Sequence, residues 1–152
     1  MRPRAAVRRE LRPRPDPRTP VVPRPMFQVA EKTQILSRLL GKTGKNFTVV
    51  TPFNCDYGYN IEIGENFFAN FNLVVLDEAK VTGDNAFIGP NCAFYTAIHP
   101  LDAERRNHGL EYAKPITVGH NVWFGGNVVT KDVPAFSVIA GNPARVIKEV
   151  TA

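Results

Sequence analysis

A chain of 152 residues, 43% of them hydrophobic, is one domain's worth: long enough to bury a core and too short for two substantial ones. Its formal charge of +5 sits at one end, because residues 1 to 25 hold eight Arg against two acids while residues 26 to 152 hold eleven Lys and Arg against twelve acids. The folded part is therefore close to neutral, which argues against a basic nucleic-acid face on it.

Residues 1 to 25 also hold seven prolines and little to bury, so they are read as a disordered Arg/Pro tail. No apolar stretch follows the basic start as a secretory signal would require, and no run of about 18 apolar residues could span a membrane. Cys55 and Cys92 are too few for a disulfide scaffold and are read as packing residues. A cytoplasmic location is the expectation. Residues 26 to 46 form a capping helix and linker: Phe27, Ala30, Ile35, Leu36, Leu39 and Leu40 fall broadly on one side of a helix that Gly41 ends.

From residue 47 to residue 152 a six-residue rhythm takes over. Ile63, Ala69 and Val75 recur at that spacing, then Ile88 and Phe94, then Val118 and Phe124, and Gly64, Gly89, Gly119 and Gly125 follow members of the series. A period of six suits neither a helix nor an open sheet, but it suits a three-sided coil with one short strand and one tight corner per hexad. Asn54, Asn60, Asn66, Asn70, Asn72 and Asn85 supply turn conformations. The rhythm is interrupted by a charged excursion over residues 96 to 115, with His99 at its foot. A solenoid fills its own interior, so reactive groups belong on what leaves it. At the far end, Gly141-Asn142-Pro143 reads as a turn before a closing strand.

Three segments, CDYGYNIEIGENFFANFNLVVLD, AFYTAIHPLDAERRNHGLEYAKPITVGHNVWFGGN and VVTKDVPAFSVIAGNPARVI, resemble the maltose and galactoside O-acetyltransferases of the hexapeptide-repeat acyltransferase family over roughly residues 35 to 150. The resemblance implies an all-β fold, a left-handed parallel β-helix assembled as a homotrimer, with acetyl-CoA as co-substrate between neighbours and direct acetyl transfer to a sugar hydroxyl. His99 matches the family's general base, for which an imidazole titrating near neutrality is suited. Glu111 matches a position beside that histidine, where a carboxylate would orient the ring. Asn70 and Asp77 or Glu78 match the acceptor pocket. Trp123 matches a wall of the pantetheine channel, Gly125 and Gly126 backbone left open to it, and Thr130, Lys131 and Arg145 positions near the nucleotide end, where positive charge meets phosphate.

The chain departs from that family in three places. The Arg/Pro tail replaces most of an N-terminal region that contributes to the acceptor site. Val81-Thr82-Gly83-Asp84-Asn85 is one apolar residue short, so either Thr82 enters the coil or a neighbour shifts register. Gly126-Asn127-Val128-Val129 runs directly into Thr130-Lys131-Asp132, omitting about eighteen residues, one three-hexad coil. Loss of a whole period would preserve the phase and shorten the coenzyme groove by one strand spacing, roughly 4.8 Å. A second reading is accordingly a β-helical trimer that has lost coenzyme binding. The γ-type carbonic anhydrases share such a coil and hold zinc with three histidines, but His99, His108 and His120 do not repeat that spacing, and no metal is expected.

Overall fold

The computed structural model describes residues 26 to 151, with side chains from residue 31; the tail expected at residues 1 to 25 lies outside the described residues. Short strands dominate and pair mostly in parallel. Numbered in chain order, β1 (Phe47–Val49), β4 (Phe67–Ala69), β7 (Phe87–Ile88), the first part of β12 (Trp123–Val129) and β13 (Ser137–Gly141) stack in one ladder. A second ladder holds β2 (Phe53–Cys55), β5 (Leu73–Leu76), β8 (Ala93–Tyr95) and the second part of β12. The third holds β3 (Ile61–Ile63), β6 (Val81–Gly83) and β11 (Ile116–Thr117). The chain visits the ladders in rotation. It returns to one after 20 residues where Phe47 lies opposite Phe67, and after 19 where Phe68 lies opposite Phe87.

The hexad positions account for the core. Ile63, Ala69, Val75, Ile88, Phe94, Val118 and Phe124 are all buried and belong to one cluster, with Phe94 and Phe124 packed edge to face. Corners are tight where the rhythm places glycine: a Cβ on Gly89 would stand 2.8 Å from the Phe124 carbonyl oxygen. Asparagine takes the left-handed corner conformation at Asn66, Asn72, Asn85, Asn91 and Asn121.

The helix α1 (Met26–Leu39) closes one end. Leu36 and Leu40 are buried, whereas Ile35 and Leu39 are exposed, so the inward face is narrower than the sequence pattern implied. Past the helix, Gly41 N–H donates to the Ile61 carbonyl and Lys42 bridges Glu62 in parallel, extending the third ladder by one step.

The short stretch after Val81 resolves differently from a buried Thr82. Val81 lies opposite Ile61 and Gly83 opposite Ile63, so the glycine takes the inward place, and an apolar cavity of about 30 Å³ is lined by Gly83, Ile63, Phe67 and Val118 among others. A Cβ on Gly83 would meet Val118 at 3.6 Å, ordinary van der Waals contact. Gly83→Ala is therefore expected to stabilise the protein by about 1 kcal/mol, from one buried methyl and a stiffer unfolded chain. A Tm unchanged or lowered in calorimetry would contradict the cavity's location.

At the omitted coil the ladders still close, since β12 pairs with β7, β8 and β13. The phase, however, does not survive intact. Phe124 lies opposite Ile88 and Val129 opposite Phe94, five residues against six. Asn127 is pulled into the interior as a result; its Nδ2 donates to the Gly125 carbonyl at 2.7 Å, while its buried Oδ1 has no partner among the described residues. The last circuit is also short, Trp123 lying opposite Val138, and Phe136 adopts the left-handed conformation at φ 54°. After it, β14 (Arg145–Glu149) folds back antiparallel on β13 as the expected closing strand.

Candidate active site

The excursion leaves the second ladder at Thr96, which is buried and tied on all sides. Its hydroxyl donates to the Leu76 carbonyl at 2.7 Å, accepts from Ala79 N–H at 3.0 Å and stands 3.2 Å from Glu78 Oε2. The returning strand is fastened to the same residue, Lys114 N–H donating to the Thr96 carbonyl. Between these ties, β9 (Ala97–Ile98) pairs antiparallel with β10 (Tyr112–Ala113), and the tip carries the short helix α2 (Ala103–Asn107), capped by Asp102. Arg106 donates to the Pro100 and Leu101 carbonyls, holding α2 over the segment that follows His99.

Ile98 lies opposite Tyr112, so the same register carried one residue further sets His99 across from Glu111. Both are exposed, and His99 has no hydrogen-bond partner among the described residues. An imidazole on a pinned hairpin, open to solvent, is placed to meet a hydroxyl brought from outside.

Beneath the hairpin lies an acidic group. Asp77 is fully buried: Oδ1 accepts from the N–H groups of Asp56 and Tyr57, Oδ2 from Gly58 at 2.8 Å, and its carbonyl accepts from Asn60 Nδ2. Its carboxylate is consumed by backbone, so of the two acids expected at the acceptor only Glu78 presents its carboxylate near the hairpin's foot. Asp56, which the sequence reading passed over, completes the group. Its carboxyl is held above the ordinary range, by partial removal from water first, then by its hydrogen bond to Glu78 and by the charges of Glu78, Asp77 and Glu111.

This shift has a pH consequence. Because the folded chain holds the Asp56 proton more tightly than the unfolded one, stability from this group falls as pH rises above the ordinary value of 3.8, and the penalty is complete once Asp56 is ionised in the folded state. Asp56→Asn is expected to raise Tm slightly at pH 7, by about a degree for so exposed a group, and to leave it unchanged at pH 3. Equal shifts at both pH values in a thermal series would refute the electrostatic origin.

The remaining candidates fall into separate places. Asn70 sits half-buried at the corner between β4 and β5, its Oδ1 accepting from Phe71 N–H. The whole of β5 separates it from the hairpin's foot, roughly 13 Å of strand. Thr130, Lys131 and Arg145 line one cavity of about 190 Å³ with Ala144 and Val146. Trp123, 58% exposed, instead walls an open groove of about 880 Å³ with Phe87, Val138, Ile147 and Lys148. Gly126 is exposed, but the Gly125 carbonyl points inward, accepting from Cys92 Sγ and Asn127 Nδ2. Cys92 is buried and Cys55 half-buried, both thiols pushed up chiefly by burial. No cluster of potential metal ligands occurs among the described residues, and no helix among them is long and apolar enough to cross a membrane.

The chain matches no family model. It is 50% identical over 141 residues to a Saccharomyces cerevisiae protein classed as an acetyltransferase, covering 80% of this chain and 72% of the relative. A solved galactoside acetyltransferase in complex with coenzyme A aligns with TM-score 0.71 and 35% identity, over 86% of this chain and 74% of that one. The solved maltose O-acetyltransferase of Clostridium difficile 630 aligns with TM-score 0.73 and 38% identity, over 87% and 80%. With sequence identity and overall architecture in agreement, the chain belongs to the hexapeptide-repeat acetyltransferase family that includes the galactoside and maltose O-acetyltransferases.

Proposed function

We propose that the chain is an acetyl-CoA-dependent O-acetyltransferase acting on a hydroxyl of a maltose-, glucose- or galactoside-like sugar, with His99 as general base. The observation that carries this is the antiparallel pairing of β9 with β10, Ile98 opposite Tyr112, which brings the segments bearing His99 and Glu111 together on a hairpin fastened at Thr96. In a direct transfer the sugar hydroxyl gives its proton to the imidazole as its oxygen attacks the thioester carbonyl. The tetrahedral intermediate then collapses, the C–S bond breaks, and the imidazolium returns the proton to the departing thiolate. Glu111 orients the ring and favours its cation while it is charged.

The three ladders wind as a left-handed solenoid from residue 47 onward, and three copies associate in the cytoplasm. Two features support assembly: Asn70 stands a full strand away from His99 in its own chain, so a neighbour is needed to supply it, and Trp123 and Phe87 leave an apolar wall uncovered. Coenzyme A lies between copies, its arm along Trp123 and Gly126, its phosphates at the cavity of Thr130, Lys131 and Arg145.

One observation favours the second reading, a trimer that has lost coenzyme binding: the corner from Phe124 to Val129 is a residue short and buries Asn127 with an unsatisfied oxygen. Calorimetric titration with acetyl-CoA separates the two. Micromolar binding with a rise in Tm supports the enzyme; no heat and no stabilisation up to millimolar ligand leaves the scaffold.

A further inference from the structure

The turn from Asp56 to Asn60 carries two exposed tyrosines, Tyr57 and Tyr59. Tyr57 is 50% exposed and Tyr59 is 63% exposed. Their ring centroids lie 5.4 Å apart, with planes inclined at 42°, so together they form a shallow open V. Exposed aromatics on a loose loop would be unremarkable. This turn, however, is fixed: Asp77 takes three of its backbone N–H groups, Asn60 ties it to the Asp77 carbonyl, and Ile61 N–H closes it on the Gly58 carbonyl. Gly58 has φ 83°, and a side chain there would strike Leu39 at the end of α1. The backbone holds both rings out in water, so little ordering remains to be done when something is laid against them.

The turn also leads to the site. Asp56, its first residue, donates its N–H to Asp77 Oδ1, and the residue after Asp77 in the chain, Glu78, stands 3.2 Å from the Thr96 hydroxyl at the foot of the hairpin that carries His99. From the base outward there are thus carboxylates able to accept sugar hydroxyls, then two aromatic faces. The negative face of an aromatic ring attracts the weakly positive C–H groups on the flat side of a pyranose, and flanking carboxylates fix its hydroxyls.

We propose that Tyr57 and Tyr59 form an outer subsite for a second pyranose ring, one unit beyond the ring that is acetylated, which makes the preferred acceptor an oligosaccharide or glycoside rather than a monosaccharide. This rests on the sugar-acetylation reading above. The test is a comparison of glucose, maltose and maltotriose by NMR titration of the full chain, following the tyrosine ring signals, together with acetylation of each sugar. Ring shifts of Tyr57 and Tyr59 with maltotriose, absent or much weaker with glucose, are expected. The double variant Tyr57→Ala, Tyr59→Ala should lower the maltotriose-to-glucose ratio of kcat/KM by about tenfold, and the double Phe variant, which keeps the faces, should restore it. No ring shift up to tens of millimolar maltotriose, or an unchanged ratio in a variant whose Tm shows it folded, overturns the subsite. If the protein acetylates no sugar, the acceptor reading falls, while the ring signals still decide the subsite on their own.

Discussion

His99→Ala is expected to lower kcat for acetyl transfer by about 10²- to 10⁴-fold, the usual contribution of a positioned general base, with acetyl-CoA affinity changed by less than twofold. The reason is geometric. His99 is exposed on a hairpin whose feet are fastened at Thr96, so shortening its side chain removes the proton acceptor and disturbs no packing. Tm should therefore stay within about a degree of the parent. The companion variant Glu111→Gln separates orientation from charge: if Glu111 acts through the imidazole, the acidic limb of the pH–rate profile moves to lower pH as the imidazolium loses its carboxylate, and acceptor KM changes little. Full activity in His99→Ala, measured by thiol release with a sugar panel, would remove the histidine from the mechanism. Loss of activity accompanied by loss of coenzyme binding would reassign it to the coenzyme.

Much of this architecture is legible in the sequence because a solenoid core is local. Every interior residue is set by its own hexad, and the positions from Ile63 to Phe124 chosen on that basis are all buried. Pairing inside one excursion is equally local, and β9 and β10 pair within it, Ile98 opposite Tyr112. What resists such reading is anything decided between circuits. Gly83 rather than Thr82 faces inward because Val81 must stay opposite Ile61, a constraint from the coil below. The lost residue between Phe124 and Val129 follows from pairing with Ile88 and Phe94, more than thirty residues earlier in sequence. Asp77 looked like an acceptor ligand because the run Leu76-Asp77-Glu78 offers two adjacent acids, and only the turn around Gly58, twenty residues away, tells which one is spent on backbone. That same turn hid Asp56 and the tyrosine pair. An Asp followed by Tyr-Gly-Tyr reads as turn chemistry, and it becomes part of a site only when the next circuit is laid beneath it.

The assignment of Asp77 to structure predicts the larger loss of stability. Asp77→Ala leaves the N–H groups of Asp56, Tyr57 and Gly58 without their acceptor, one of them on a buried residue, and opens a polar hole at a position with no solvent exposure. Hydrogen bonds to a charged group contribute about 1.5 to 3 kcal/mol each, and three sharing one carboxylate are not additive, so a destabilisation of about 3 to 5 kcal/mol is expected, or a fall of roughly 10 °C or more in Tm. Asp77→Asn should recover only part of it. An amide keeps one oxygen for two of the donors but turns an NH₂ toward the third, where donor meets donor. The comparison with Glu78→Gln completes the argument. Glu78 is half-buried beside Thr96 and keeps its carboxylate near the hairpin, so its substitution should raise acceptor KM by several-fold with a small change in Tm. If instead Asp77→Asn leaves Tm intact and raises acceptor KM, Asp77 binds the sugar, and the turn that presents Asp56, Tyr57 and Tyr59 is held by something other than its carboxylate.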